Sequence, residues 1–364
     1  MKERPIHNLV TLTAVGDIML GDGPVSVGHG VGSTIKKNGV IPIFRDVESI
    51  IKKGDIAFGN LESVVSNKDM DINSMKSSFL RAHPDTIEGL NFAGFNVLSL
   101  ANNHSRQYGE DGIKDTIDNL SKYHIRYIGV GSSFEEARIP LHLTIKGIKI
   151  AFLAYCLVPD KTAYISIINP EEIYSDTKRT KAAADFVIVS LHWGNEFIEI
   201  PSPDQIRFAH RIIDSGASLI LGHHPHILQG IEQYHNGLIA YSLGNFIFDL
   251  NYLGELRSSV ILECQFSKSG IVSYKQHPVY IEKHYNPIVL KGNEKTKALQ
   301  KLGQLSFILK KAAEGNMQEY ENKVAKRRKS VKRRMIFYFI RNIYRYEWQY
   351  TWSNIIKYFK KKLK

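Results

Sequence analysis

Polar residues that can bind metal ions follow six apolar, strand-like runs of this chain. Each run stops at a short cluster that contains Asp, Glu, Asn or His. The clusters are Val15-Gly16-Asp17, Phe58-Gly59-Asn60-Leu61-Glu62, Leu100-Ala101-Asn102-Asn103-His104, Ser190-Leu191-His192-Trp193-Gly194-Asn195-Glu196, Gly222-His223-His224-Pro225-His226 and Ser242-Leu243-Gly244-Asn245. Carboxylate, amide and imidazole groups form the mixed ligand set that first-row transition metals favour. If the clusters converge, the sequence predicts a metal-dependent hydrolase.

The alternation of strand-like and helical segments explains how the clusters could converge. It predicts parallel strands, whose carboxyl ends share one edge of a sheet. Strands are predicted at 9–15, 56–58, 95–100, 125–130, 148–155, 186–191 and 219–221, and helices at 42–53, 85–94, 113–123 and 204–215. After residue 237 the pattern changes to an antiparallel one, with strands at 238–243, 259–266 and 271–280. The predicted fold class is therefore α/β with an added antiparallel portion.

Length and composition are those of a globular protein. The chain has 364 residues, of which 43% are apolar, enough for one large domain or a domain with an appendage. The cysteines, Cys156 and Cys264, lie on separate apolar runs and are interpreted as buried small hydrophobic residues. No segment contains the roughly 18 consecutive apolar residues needed to span a bilayer. The first ten residues also lack the apolar core of a signal peptide, so a cytoplasmic location is expected.

The positive charge is concentrated in the last 40 residues. The whole chain carries +12, but residues 325–364 contain fourteen Lys and Arg and a single acid, Glu347, for a local charge of +13. The first 324 residues therefore carry −1 and are close to neutral. This division indicates a near-neutral domain followed by a basic tail with a separate electrostatic role.

The clusters, in this order, resemble those of the capsule synthesis protein CapA family, the poly-γ-glutamate capsule group of the calcineurin-like metallophosphoesterase superfamily. The resemblance extends from about residue 9 to residue 248. It implies a layered sandwich of mixed β-sheets flanked by helices, with a metal centre at the strand ends. It also implies a role in the biosynthesis of capsule or exopolymer, either poly-γ-glutamate or polysaccharide. Three divisions are expected: a metallophosphoesterase-like domain at 9–290, a helical linker at 291–324 and a basic amphipathic tail at 325–364.

The resemblance also implies the site residues. The implied metal ligands are Asp17, Glu62, Asn103, His192, His224 and His226. They are divided between one position formed by Asp17, Glu62 and His226 and a second formed by Asn103, His192, His224 and the shared Glu62. The implied cofactor is one or two divalent transition metal ions, of manganese, iron or zinc.

Two residues depart from the superfamily pattern. Met19 stands where an imidazole is expected, so the second metal position is expected to fill first. Gln107 replaces an acid beside His104, the residue that the resemblance implies is catalytic.

The residue types are consistent with phosphoester chemistry. Two histidines at i and i+2 on an extended segment point to opposite sides, so His224 and His226 are expected to serve two neighbouring cations. Such a pair of metals, about 4 Å apart, acidifies a bridging water and binds phosphate oxygens. An imidazole such as His104 can protonate a departing alkoxide, because its pKa lies near neutral pH.

Other polar residues of the clusters are assigned lesser roles. Glu196, Ser242 and Asn245 are interpreted as supporting or turn-forming groups, and His223 as a neighbour that is not a ligand. Asn60 is a weaker ligand candidate than Glu62, because only the carboxylate contributes a negative charge.

The basic tail combines cations with aromatic residues. Residues 325–334 are almost continuous Lys and Arg, and residues 335–359 include ten aromatic residues. Helical spacing of the apolar residues predicts an amphipathic helix, and the favoured partner is an anionic membrane surface, so that the protein lies at the inner face of the membrane. An anionic polymer or a partner protein of capsule biosynthesis is the main alternative, and a simple solvated helix is a further one. Nucleic acid is disfavoured, because the predicted enzyme domain lacks net positive charge.

Two functions remain open from the sequence. The first is a metal-dependent hydrolase of the phosphoesterase type that acts on a phosphorylated or polymer-linked substrate in capsule or exopolymer assembly. The second is a scaffold or polymer-binding module that contains a metal and has negligible turnover.

Overall fold

Two mixed β-sheets form the centre of the protein. The computed structural model describes residues 9–68, 79–158 and 169–346. The strands are β1 Val10–Ile18, β2 Ile56–Leu61, β3 Val64–Val65, β4 Arg81–Ala82, β5 Val97–Ser99, β6 Arg126–Ile128, β7 Leu141–Ile145, β8 Ile148–Cys156, β9 Phe186–His192, β10 Leu219–His223, β11 Ile231–Tyr234, β12 Gly237–Ala240, β13 Asn245–Ile247, β14 Ser258–Ser267, β15 Gly270–Ile281 and β16 Pro287–Val289. The larger sheet has the order β16-β15-β14-β1-β2-β5-β6, with β13 also paired to β1, and the smaller sheet has the order β11-β12-β10-β9-β8-β7.

Helices cover the outer faces of both sheets. They are α1 Val31–Asn38, α2 Ile41–Phe44, α3 Glu48–Ile51, α4 Ile87–Ala93, α5 Gly109–Lys122, α6 Phe134–Ala137, α7 Pro170–Ala183, α8 Pro203–Asp214, α9 Gly292–Ala313 and α10 Met317–Arg341. Short 3₁₀ turns lie at Pro84–Thr86, Gly254–Arg257 and Ile343–Arg345.

The two sheets pack face to face around one apolar core. Phe58 of the larger sheet stacks on Phe152 of the smaller one at 5.7 Å, and Phe186 stacks on Phe266 at 3.8 Å between ring centres. A second core lies between the larger sheet and α1 to α5, and a third between the smaller sheet and α7, α8 and α9. The predicted layered sandwich of mixed sheets with flanking helices is confirmed.

The strands that carry the polar clusters run parallel within each sheet. β1 pairs in parallel with β2 and β13, and β9 pairs in parallel with β8 and β10. The close approach of β1 to the segment before β13 requires glycine at position 16, because a Cβ there would lie 1.8 Å from the Gly244 carbonyl oxygen. This contact brings the end of β1 against the last cluster and allows the Asp17 amide to donate to that oxygen at 3.0 Å.

Several local predictions were wrong or incomplete. The helix predicted at 42–53 is two short helices, α2 and α3, separated by a turn. The helix predicted at 113–123 begins at Gly109. α7 was not predicted, since part of its buried face consists of threonines, Thr177 and Thr180, which do not produce an apolar period.

The last two described helices pack against the sandwich. α9 buries Leu302, Leu305 and Leu309 in the cores on the two sides of the smaller sheet. α10 buries Tyr320, Val324 and Val331. The predicted boundary between residues 324 and 325 falls inside α10, and the division into linker and tail stays a prediction.

Candidate metal centre

All six predicted ligands and the predicted catalytic histidine lie at one end of the two sheets. Asp17 of β1 is in register with Asn60 of β2 and with Asn245 of β13. In the other sheet, His192 of β9 is in register with His223 of β10. The polar clusters of both sheets therefore meet, as the sequence predicts, and their role as ligands stays a prediction.

Glu62 lies at the centre of this group. Its Oε1 atom is 3.7 Å from His104 Nε2, 3.9 Å from His192 Nε2 and 3.7 Å from His226 Nε2. The side chain is fully buried, and neither oxygen has a hydrogen-bond partner among the described residues. Burial, and then the nearby Asp17 and Glu196 charges, raise the pKa of Glu62 well above its usual value, although His226 opposes the shift. A buried carboxylate without donors, surrounded by imidazole nitrogens, fits a site for a cation.

Asp17 is held by histidines and by backbone. Its Oδ1 lies 3.3 Å from His223 Nδ1, its Oδ2 lies 3.5 Å from His226 Nδ1, and Oδ2 accepts the His224 amide at 3.2 Å. Burial alone would raise the pKa of Asp17, but the hydrogen bonds and charges of His223 and His226 lower it well below the usual value. Asp17 is therefore ionised at neutral pH, as a ligand must be. His223, interpreted as a neighbour from the sequence, is in contact with Asp17.

Two asparagines orient His192 from opposite sides. His192 Nε2 donates to Asn103 Oδ1 at 2.8 Å, and His192 Nδ1 lies 3.4 Å from the Asn60 amide nitrogen. Asn60 also donates to Asp17 Oδ1 at 2.8 Å and accepts from Asn102 at 3.2 Å. The Asn60 amide thus fixes two predicted ligands. Burial, followed by the neighbouring histidine charges, lowers the pKa of His192 well below its usual value and favours the neutral imidazole that binds metals.

The segment His224-Pro225-His226 is a bend and not the predicted extended stretch. His224 has φ +93° and His226 has φ +59°, conformations that residues other than glycine rarely adopt. Such strain concentrates at functional sites. Because of the bend, both imidazoles lie near Glu62, and their ring centres are 5.9 Å apart. The expectation that these two side chains point to opposite sides was therefore wrong.

The two histidines of this bend differ in charge when no metal is bound. Burial, and then the charge of His226, lower the pKa of His224 to about 3. For His226 burial also lowers the pKa, but the Glu62 and Asp17 carboxylates dominate and raise it to about 10. His226 Nδ1 donates to Asn245 Oδ1 at 2.9 Å, and Asn245 in turn donates to the Leu256 carbonyl at 3.0 Å. His226 Nε2 is thereby turned toward Glu62.

His104 lies at the more open side of the centre. Its Nδ1 donates to Gln107 Oε1 at 3.0 Å, and its Nε2 lies 3.2 Å from the Asn103 amide nitrogen. Gln107 therefore orients the ring without adding the negative charge of an acid. About a quarter of the His104 side chain is exposed, so this ring can meet a substrate.

Two overlapping groups of side chains could hold metal ions. One is Glu62, His224 and His226, the other is Asp17, Glu62 and His192, and within each group the ligand atoms lie within 4.8 Å of one another. The sequence instead grouped His226 with Asp17 and His192 with His224. Glu62 is shared in both descriptions. Met19, in place of the expected imidazole, is fully buried in the apolar core beside the larger sheet.

α10 covers one side of the centre, which sequence reasoning missed. Arg327 Nε donates to the Phe197 carbonyl at 3.0 Å, and Arg328 Nη2 donates to Asn195 Oδ1 at 2.9 Å. Val331 packs against Ile227, the residue after His226, together with Leu253 and Leu256. The signal was the helical spacing of Tyr320, Val324, Arg327 and Val331, which form the inward stripe of α10. The rim of the domain is therefore not neutral, since part of the basic tail adjoins it.

The fold defines the class of protein first. A crystal structure described as a novel phosphatase from Mycoplasma pneumoniae has a TM-score of 0.50 and 13% sequence identity to this chain, and the match covers 80% of this chain and 98% of that one. This likeness concerns the fold alone. The layered arrangement of mixed sheets and helices is therefore shared with a solved phosphatase.

The family follows from the sequence comparisons. The family model of the bacterial capsule synthesis protein PGA_cap matches residues 11–250. The chain is 31% identical over 306 residues to the capsule biosynthesis protein CapA of Bacillus anthracis, covering 80% of this chain and 72% of that protein. It is also 31% identical over 300 residues to the PGA biosynthesis protein CapA of Bacillus subtilis strain 168, covering 80% of this chain and 77% of that protein. The chain belongs to the bacterial capsule synthesis PGA_cap family.

The predicted membrane contact was assigned to the end of the chain. Within residues 9–68, 79–158 and 169–346, no helix is both long and apolar enough to cross a bilayer. Phe337, Ile340 and Tyr344 expose more than half of their surface near the end of α10. Trp352 and the apolar residues after it lie outside the described residues, and membrane association stays a prediction.

Proposed function

We propose that this capsule synthesis protein is a metal-dependent hydrolase of the phosphoesterase type, acting on a phosphorylated or polymer-linked anionic substrate in capsule or exopolymer assembly. The observation that carries the proposal is Glu62. This carboxylate is fully buried, has no hydrogen-bond donor among the described residues, and lies within 4 Å of nitrogens of His104, His192 and His226. Leaving a buried carboxylate without a donor costs several kcal/mol, and a bound cation would remove that cost.

The chain supplies a set of groups that suits such a metal centre. Asp17, Glu62, His192, His224 and His226 would hold the metal, and the Asn103 side-chain oxygen faces the same space as His192 Nε2. A divalent metal bound there would act as a Lewis acid and would lower the pKa of a water molecule.

Three of the remaining residues orient these groups, and His104 is placed for proton transfer. Asn60 holds Asp17, and Asn245 fixes the ring of His226. Gln107 occupies His104 Nδ1, so His104 Nε2 is the nitrogen turned toward the centre and toward solvent. When both ring nitrogens carry a proton, His104 can transfer the Nε2 proton to the oxygen that leaves the substrate.

Substitution of His104 tests this function. We expect His104→Ala to keep the metal content of the wild-type protein and to lower hydrolysis of a generic aryl phosphate by about a hundredfold or more, because general acid catalysis contributes 10²–10⁴. His235→Ala is the matched control, since His235 is exposed and pairs with Asp214 on the surface. Hydrolysis that is equal in the two variants would contradict the catalytic role of His104.

A non-catalytic metal-containing module of a capsule synthesis complex is the second candidate. It is favoured by two observations: Met19 replaces an imidazole in the core, and Gln107 provides only a neutral acceptor to His104. If the wild-type protein binds metal but does not hydrolyse aryl phosphates with Mn²⁺, Fe²⁺, Co²⁺ or Zn²⁺, this candidate replaces the first.

A further inference from the structure

α10 is fastened to the loop that follows the metal-binding strand β9. Asn195, three residues after His192, accepts from Arg328 Nη2 at 2.9 Å and donates to the Tyr320 hydroxyl at 3.2 Å. Two residues further on, the Phe197 carbonyl accepts from Arg327 Nε at 3.0 Å. α10 is therefore hydrogen-bonded to this loop at Asn195 and at Phe197.

The same loop connects α10 to the histidine bend. The Phe197 amide donates to the Pro225 carbonyl at 2.8 Å, and the Phe197 ring lies 6.2 Å from the His226 ring. On the next turn of α10, Val331 packs on Ile227 directly after the bend. α10 thus packs beside the histidine bend along about two turns, and its position is fixed by apolar packing as well as by hydrogen bonds.

The basic residues of α10 between positions 326 and 334 are mostly available to a ligand. Arg327 forms an ion pair with Glu255. The other six basic residues of the stretch form no ion pair with any described carboxylate; they are Lys326, Arg328, Lys329, Lys332, Arg333 and Arg334. All six are exposed. A row of unpaired cations beside a nearly neutral domain creates a local positive field that attracts polyanions.

Two of these cations lie on the side of α10 that is turned toward the Asn195 loop, and two lie on its outward side. Arg328 lies on the side of Asn195, and Lys332 follows one helical turn later on the same side. Lys329 and Arg333 are displaced by about 100° around the helix and point away from the buried stripe.

We propose that Arg328 and Lys332 form the binding surface for the anionic polymer chain that enters the metal centre. This inference rests on the proposed function and specifies where its substrate is held. Arg328 and Lys332 are positioning residues, because they contact the polymer beside the reacting group. A polymer with regularly spaced carboxylates suits two cations that are four residues, about 6 Å, apart along α10.

A membrane surface is the competing ligand for the same helix. A flat bilayer would engage the outward cations at least as strongly as those that face the centre. The position of Arg328, hydrogen-bonded to the Asn195 loop and set beside the histidine bend, favours a ligand that reaches the centre.

Paired substitutions in the full-length protein distinguish these ligands. The rim variant carries Arg328→Gln and Lys332→Gln, and the outward variant carries Lys329→Gln and Arg333→Gln. Each loses one arginine and one lysine at the same spacing in the same helix. Binding of a short fluorescein-labelled γ-glutamate oligomer is measured by fluorescence anisotropy near physiological ionic strength, and binding to vesicles that contain phosphatidylserine is measured by sedimentation.

The proposal predicts about tenfold weaker oligomer binding for the rim variant and less than about twofold for the outward variant. Metal content should stay at the wild-type value in both variants, and the thermal midpoint of the rim variant should fall only slightly, because it loses the hydrogen bond from Arg328 to Asn195. Equal weakening in the two variants, or no weakening in either, would overturn the proposal. So would a wild-type protein that binds the vesicles but not the oligomer. Absence of metal from the wild-type protein would instead contradict the proposed function, and a difference between the two variants would still be measurable.

Discussion

Replacing Glu62 by glutamine separates the cost of a buried carboxylate from its value as a metal ligand. Glu62→Gln keeps the size of the side chain and removes its charge. The side chain is fully buried and has no hydrogen-bond donor among the described residues, and burial raises its pKa. Without metal, therefore, the carboxyl group of Glu62 lowers the free energy of unfolding.

The size of this destabilisation depends on pH. In the unfolded chain the carboxyl group ionises near pH 4.5, whereas in the folded metal-free protein it keeps its proton to higher pH. Above pH 4.5, ionisation of this group in the unfolded chain lowers the free energy of unfolding by about 1.4 kcal/mol per pH unit, until the group in the folded protein also ionises. Near pH 6.5, Glu62→Gln should therefore raise the free energy of unfolding by up to about 3 kcal/mol, and the gain should vanish toward pH 4.5.

Thermal unfolding with EDTA and then with Zn²⁺ measures both effects. With EDTA near pH 6.5, the midpoint of Glu62→Gln should exceed that of the wild type, and Zn²⁺ should raise the midpoint of the wild type alone. Glu88→Gln is the control, because it is the same substitution at an exposed position of α4. A metal-free Glu62→Gln protein less stable than the wild type, or equal stabilisation of both by Zn²⁺, would refute the reasoning.

Three further predictions concern the support of the site. Asn245→Ala removes the acceptor of His226 Nδ1 and should weaken metal binding about tenfold or more in a chelator competition; unchanged affinity would contradict this. Without metal, the ionised Asp17 carboxylate helps to raise the pKa of His226 above its usual value, so metal affinity measured by calorimetry should rise with pH through the neutral range, by up to about tenfold per unit. A flat profile would show that His226 is not a ligand. Gly16→Ala should lower the free energy of unfolding by about 3 kcal/mol or more, because its Cβ would overlap a backbone oxygen. Gly303→Ala, whose Cβ would meet open space, should not lower the thermal midpoint. Similar midpoints for the two variants would contradict the steric explanation.

The residues of the centre were predictable because their signal is local. Each strand is an apolar run that ends at its own polar cluster, and parallel strands place such ends together. Asp17 and His192 could thus be assigned to one site although 175 positions separate them. The family and the layered sandwich followed from the same clusters.

The structure added what depends on distant contacts. The left-handed conformations of His224 and His226 are imposed by the surrounding structure. They could not be predicted from the residue types, because neither residue is glycine. The docking of α10 depends on Ile227 and Leu256, which are far from Val331 in the chain. From composition alone the basic stretch was interpreted as a separate tail, because charge dominates its pattern and hides the inward stripe.

The metal content of the protein shows whether the buried polar groups at the strand ends form a metal site. Elemental analysis of wild-type protein purified without chelators, beside Glu62→Gln purified in parallel, measures whether these buried groups hold a divalent ion. We expect at least one transition metal ion per wild-type chain and a marked loss of metal in the variant. Wild-type protein that contains no divalent metal, and that takes up none when dialysed against Mn²⁺ or Zn²⁺, would contradict this expectation.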